Sequence, residues 1–152
     1  MPQHSGDGSR DDSFSFDESL YRRYRLDEVE GGHPIAATLD FPGTSVNRER
    51  YSDEVKDVLH PDCCNGKEPV ETGVLVTTVR LVEDGSVEIS GNGRRFVLFV
   101  CHEPKPTCRA HSEIWCREEG AQEPPKNTPR TVRYAFRAAL ALKFTVLIAA
   151  SA

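Results

Sequence analysis

The chain lacks any apolar run long enough to cross a bilayer. Its most apolar stretch, residues 138–150, holds about a dozen residues and is broken by Lys143, well short of the ~20 that a spanning helix needs. The opening string MPQHSGDGSRDDSFSFDESLYRR has neither the early basic cluster nor the apolar core of about 7–15 residues that marks a secretory leader. A cytoplasmic location is the expectation. Aromatic residues are few, 8% with a single Trp, and there is one Met, so the core must be built mainly from aliphatic side chains. Walker loops, G-x-G-x-x-G fingerprints and nucleophile elbows are all missing, which removes the common nucleotide-binding and α/β-hydrolase signatures. The net charge of −5 offers no general basic surface and argues against nucleic acid as a partner. No repeat period is present.

What is there suffices for one domain. A chain of 152 residues leaves room for a single core. Leu, Ile, Val and Phe contribute 35 residues, about 23% of the chain, enough to fold rather than stay disordered. Five cysteines, an odd number, leave at least one thiol unpaired in any disulfide scheme. Reduced thiols are therefore expected, in keeping with a cytosol.

Residues 1–17 are rich in Ser, Gly and Asp and cannot offset their ordering entropy, so a disordered acidic tail is expected there. Residues 18–152 then form one domain. LYRRYRLDEV at 20–29 reads as a short amphipathic element, and IAATLDF at 35–41, fenced by Gly and Pro, as a buried strand. Ser52 followed by Asp53 and Glu54 predicts a helix near 53–59 that ends before Pro61. Residues 73–82, 86–90 and 94–104, separated by EDG and GNG turns, read as three consecutive antiparallel strands, and 109–116 as a fourth. Thr128 and Pro129 start a helix with Val132, Phe136, Ala139 and Leu140 on one stripe and Arg130, Arg133 and Arg137 on another. A final strand closes the chain. The expected class is α+β, a mostly antiparallel sheet of four to six strands with two or three helices.

The densest set of metal-capable and proton-handling side chains is CHEPKPTCRAHSEIWC at 101–116. One arrangement is a zinc site of Cys101, Cys108, His111 and Cys116, against which stands a reading of the cysteines as small buried hydrophobes. The other places His102 directly across the hairpin from His111, which sets His102, His111 and Glu113 on one face. Two imidazoles and a carboxylate could hold a divalent metal or run acid–base chemistry near neutral pH. In that register Cys101 and Cys116 share the opposite face. The bland alternative is that both histidines bond loop carbonyls on a face that is mostly core. The basic helix stripe with Lys126 and Lys143 reads as a solvated face or a partner-binding surface. His60, Cys63 and Cys64 form a second cluster that reads as ordinary loop thiols.

The motifs SVNRERYS at 45–52, DVL at 57–59, GVLVTTV at 73–79, H-E-P at 102–104 and H-S-E-I at 111–114 resemble a family of small uncharacterised bacterial proteins, over about residues 36–150. The resemblance implies the extent of the domain and points to His102, His111 and Glu113 without naming a reaction. It also lends weight to Asn47, Arg48, Arg50 and Tyr51, as an anion or phosphate anchor or as a structural tie between strand and cap. The loop KPTCRA between the histidines and the paired cysteines depart from the pattern. Two functions stay open: an accessory module that binds an unknown protein partner, or a metal- or histidine-dependent hydrolase or transferase acting on a phosphorylated or nucleotide substrate. No cofactor beyond a possible divalent metal is expected.

Overall fold

In a computed structural model, residues 14–59, 72–88 and 93–150 are described. Among them the strands are β1 (Ser19–Arg25), β2 (Val29–Glu30), β3 (His33–Pro34), β4 (Thr44–Arg48), β5 (Thr72–Thr78), β6 (Ser86–Glu88), β7 (Arg95–His102), β8 (His111–Glu118) and β9 (Thr145–Ile148). Helix α1 spans Val79–Glu83 and α2 Arg130–Lys143. Seven strands form one antiparallel sheet in the order β6-β7-β8-β4-β1-β5-β9, and β2 with β3 makes a separate pair. The α+β class with a mostly antiparallel sheet is as the sequence implies. Most of the expected tail lies outside the described residues; Phe14 is described and packs against the core.

Alternation along the strands decides the layering. Leu20, Tyr24, Val46, Leu75, Leu98, Val100, Ile114 and Cys116 face α2 and join Val132, Phe136, Leu140 and Phe144 in the main core. Burying one such side chain contributes about 1.5–3 kcal/mol. Ala141, rather than the half-buried Ala139, completes the buried helix stripe. Among the described residues the other sheet face carries a second, smaller cluster, Tyr21, Val58 and Val74. That thinner face carries Ser45, Asn47, His111 and Glu113.

Three local expectations are corrected. Residues 35–41 are not a strand: Ala36–Thr38 form a 3-10 turn because both the Thr38 amide and hydroxyl donate to the Ile35 carbonyl, at 2.9 and 2.6 Å. Leu39 and Phe41 are buried all the same. The β-branched run 73–82 changes type at Thr78, whose Oγ1 accepts the Leu81 amide at 3.2 Å and caps α1. Val79 and Val82 then turn inward at helical spacing. In consequence β6 pairs with β7 alone, and the expected three-strand meander does not form. The segment expected to be helical after Ser52 is a 3-10 helix, Val55–Leu59.

β1 and β4 pair only through Leu20↔Arg48 and Tyr21↔Asn47, whereas β1 pairs with β5 over its whole length. Beyond Tyr21 the two strands splay. The Ser45 carbonyl, left without a ladder partner on that side, accepts Arg22 Nη1 at 2.9 Å instead. The gap opens into a cleft of about 310 Å³.

Candidate functional site

The β7–β8 ladder pairs Cys101 with Glu113 and His102 with Ser112, one residue away from the register expected. The cause lies at the turn. Lys105 and Cys108 exchange both backbone hydrogen bonds, at 3.0 and 3.1 Å, in the register that would have put His102 opposite His111. Between that bridge and the His102↔Ser112 pair, however, residues 109–111 oppose only 103 and 104. The extra residue is a bulge, at a place where Pro104 has no N–H to give the ladder. A one-residue slip moves side chains to the other face. His102 therefore parts from His111 and Glu113, and Cys101 from Cys116.

The three residues proposed together thus divide. His102 is buried on the α2 side of the sheet and stacks on Tyr51, ring centroids 5.3 Å apart. Arg48 lies on that side too, fully buried, with Nε and Nη2 donating to the two Glu18 carboxylate oxygens at 2.9 and 2.8 Å. Its guanidinium also covers the Phe14 ring at 3.9 Å. Arg50 is exposed and gives its backbone amide to Glu18 at 3.2 Å. Arg48, fully buried, and Tyr51, half-buried, belong to one cation–aromatic cluster, with the guanidinium 5.2 Å from the Tyr51 ring centroid.

His111 and Glu113 stay together on the opposite face, where β4 contributes Asn47 and Ser45 as their direct cross-strand partners. Gly43, at φ +91°, lets the chain enter β4 close against Trp115 and Glu113; a Cβ there would lie 3.3 Å from the indole. Glu113 Oε1 accepts Trp115 Nε1 at 2.9 Å, and Oε2 lies 4.0 Å from His111 Nε2. The His111 Nδ1 is 2.7 Å from the Glu103 carbonyl, which can only accept, so Nδ1 carries the proton. Nε2 then presents a lone pair, and Ser45 Oγ, 3.3 Å away, is its donor. Burial pushes His111 below the ordinary histidine range, outweighing the upward pull of the Glu103 carbonyl and the Glu113 carboxylate. The ring is a neutral base at neutral pH.

Ser45, Asn47 and His111 line the cleft between β1 and β4 together with Arg22, Arg23, Arg25 and Lys105, against two acids, Glu28 and Asp40. Arg25 pairs with Asp27 at 3.7 Å. The side chains of Arg23 and Lys105 have no hydrogen-bond or ion-pair partner among the described residues. Sequence reasoning missed this group. The signal was present in the RRYR string at 22–25, where three arginines share a strand with two buried tyrosines, but only the splay of β1 from β4 gives them a cavity to line.

No three His, Cys, Asp or Glu side chains among the described residues converge to hold a metal ion. The zinc alternative is corrected as well. Cys101 and Cys116 keep reduced thiols, buried on opposite faces, whereas Cys108 is disulfide-bonded, which overturns the expectation of reduced thiols at that position. Burial pushes the Cys101 thiol up to about 12 and raises Cys116. Cys63, Cys64 and His60 lie outside the described residues. On α2, Arg133 and Arg137 are half-buried, Arg130 Nε bonds Tyr134 Oη at 3.0 Å, and Lys143 Nζ donates to the Leu81 carbonyl at 2.6 Å. The basic stripe is partly a packing feature. No helix among the described residues is long and apolar enough to span a membrane. Compared with protein-family models, curated proteins and solved structures, the chain matches none.

Proposed function

We propose that the domain is a small accessory module that recognises an anionic, phosphate-bearing ligand or partner in the cleft between β1 and β4. The observation that supports this most is that two cations at one cavity, Arg23 and Lys105, have no hydrogen-bond or ion-pair partner among the described residues, in a chain whose net charge is −5. Cations left without counter-ions beside a polar recess favour an anion entering it. Arg22 adds a third positive group, held at the strand gap by the Ser45 carbonyl. Asn47 supplies an amide to the same wall. Phosphate fits because guanidinium forks bind its oxygens in pairs.

The resemblance to small bacterial proteins belongs to this proposal, since two of its motifs, S-V-N-R and H-S-E-I, supply neighbouring strands of the cleft wall. A cytosolic location belongs to it too, although the Cys108 disulfide weighs towards an oxidising compartment. Titration with inorganic phosphate tests the reading. Arg23→Gln and Lys105→Gln should each weaken binding about tenfold, the loss of one charge-assisted contact. Binding unchanged in both variants would overturn it.

A further inference from the structure

Ser45 and His111 meet the geometric requirement for an activated nucleophile. Three constraints converge on one hydrogen bond. The Glu103 carbonyl, at 2.7 Å, fixes the imidazole tautomer with the proton on Nδ1. Nε2 is left as a base facing the Ser45 hydroxyl at 3.3 Å. The Glu113 carboxylate, 4.0 Å from Nε2, is placed to favour the imidazolium that would form on proton uptake. A nucleophile in reach of a base that a third group orients is the arrangement by which a serine becomes reactive. Its contacts join β4, β8 and the residue that follows β7, so local sequence does not display it: Ser45 is 66 residues from its base. Ser45 is exposed while His111 is buried, so the attacking atom meets solvent and the base is shielded from it.

We infer that Ser45 is a nucleophile and His111 its general base in phosphoryl transfer from an anionic phosphate ester bound in the cleft. The substrate class rests on the anion-binding reading above; the activation of Ser45 rests on the hydrogen-bond geometry alone. Ser45 Oγ forms a bond to phosphorus as its proton passes to His111 Nε2. The ester P–O bond breaks, and the leaving alkoxide takes the proton back from Nε2. Water then attacks the phosphoserine with His111 accepting its proton, the P–Oγ bond breaks, and Ser45 recovers its proton as inorganic phosphate departs. Arg22, anchored on the Ser45 carbonyl at 2.9 Å, stands beside the reacting serine, where a guanidinium offsets charge on the phosphoryl oxygens.

Two probes separate the parts of this inference. Diisopropyl fluorophosphate is uncharged and reports Ser45 activation without any need for anion binding. Peptide mass spectrometry should find the adduct on Ser45 at least about tenfold faster than on the exposed Ser86, a rate ratio within the range that general-base assistance supplies. His111→Gln should remove that advantage, and thermal unfolding of the variant shows whether it still folds. If it does not, Ser45→Ala carries the test by the second probe, p-nitrophenyl phosphate: release of p-nitrophenol should vanish while inorganic phosphate still binds. Equal labelling of Ser45 and Ser86, or release that survives Ser45→Ala, would overturn the catalytic inference and leave the binding module. Labelling of Ser45 with no binding of phosphate would instead overturn the anionic substrate class.

Discussion

Ser45 and His111 stand diagonally across the β4–β8 ladder, with Oγ 3.3 Å from Nε2, although the sequence pairing that first drew attention to His111 joined it to His102. What brings them together is the alternation of two neighbouring strands. Ser45 lies opposite Glu113 and Asn47 opposite His111, so all four side chains reach one face.

His111 makes folding pH-dependent. Its folded-state pKa lies below the ordinary value of 6.5, with burial the largest cause. The unfolded chain therefore takes up the proton first as pH falls. The contribution is fully present above about 6.5 and is lost as pH drops through the depressed value, with a slope of up to about 1.4 kcal/mol per pH unit. Glu103, Lys105 and Glu113 all act on this ring, and Arg22, Arg23 and Arg25 line the same cleft. Denaturant unfolding between pH 4 and 8 checks this, and His111→Gln should flatten part of the acid limb.

Removing Glu18 takes the paired carboxylate from a buried guanidinium. Arg48 is fully buried and Glu18 nearly so, and breaking such a pair from one side costs about 3–5 kcal/mol. Glu18→Gln should show a loss of that order in denaturant unfolding. The double change Glu18→Leu with Arg48→Met should lose less than Arg48→Met and Glu18→Gln summed, because no charge is left without its partner.

Gly73 has no room for a methyl group. A Cβ there would come within 2.6 Å of the Ala150 amide nitrogen and 2.7 Å of the Tyr24 ring. Gly73→Ala should push β9 off β5 and destabilise the fold by about 1–3 kcal/mol, the usual range for overpacking. Faster amide hydrogen exchange in Thr145–Ile148 than elsewhere in the sheet would be its local mark.

Cys101 and Cys116 should resist alkylation in the folded protein. Both are fully buried, and burial holds Cys101 at about 12 and Cys116 above its usual value, so almost no thiolate forms near neutral pH. Iodoacetamide should label them only on unfolding, with mass spectrometry as the readout.

Elements with strong local signals were legible in the sequence. The stripe Val132, Phe136 and Leu140 with Pro129 at the cap marked α2, and the apolar run before His102 marked β7. β4 was not legible, because its five residues carry Asn47 and Arg48 and its burial comes from long-range pairing with β1 and β8. The site was half legible. His111 and Glu113 share a face because they are two apart on one strand, which spacing alone dictates. The place of His102 depended on a bulge near Pro104, and nothing in a hairpin's sequence counts the residues a bulge will absorb. Ser45 meets His111 through the long-range pairing of β4 with β8, and the cationic cleft required the splay of β1 from β4; neither tertiary feature has a local signature.

The anion-binding cleft is tested most directly by titrating the isotope-labelled protein with inorganic phosphate and following backbone amide shifts at low and high salt. The expected result is a set of saturable shifts at Arg23, Ser45, Asn47 and Lys105 that shrink as ionic strength rises and disappear in a protein carrying both Arg23→Gln and Lys105→Gln. Shifts spread evenly over the surface, or an unaltered response in that double variant, would contradict it.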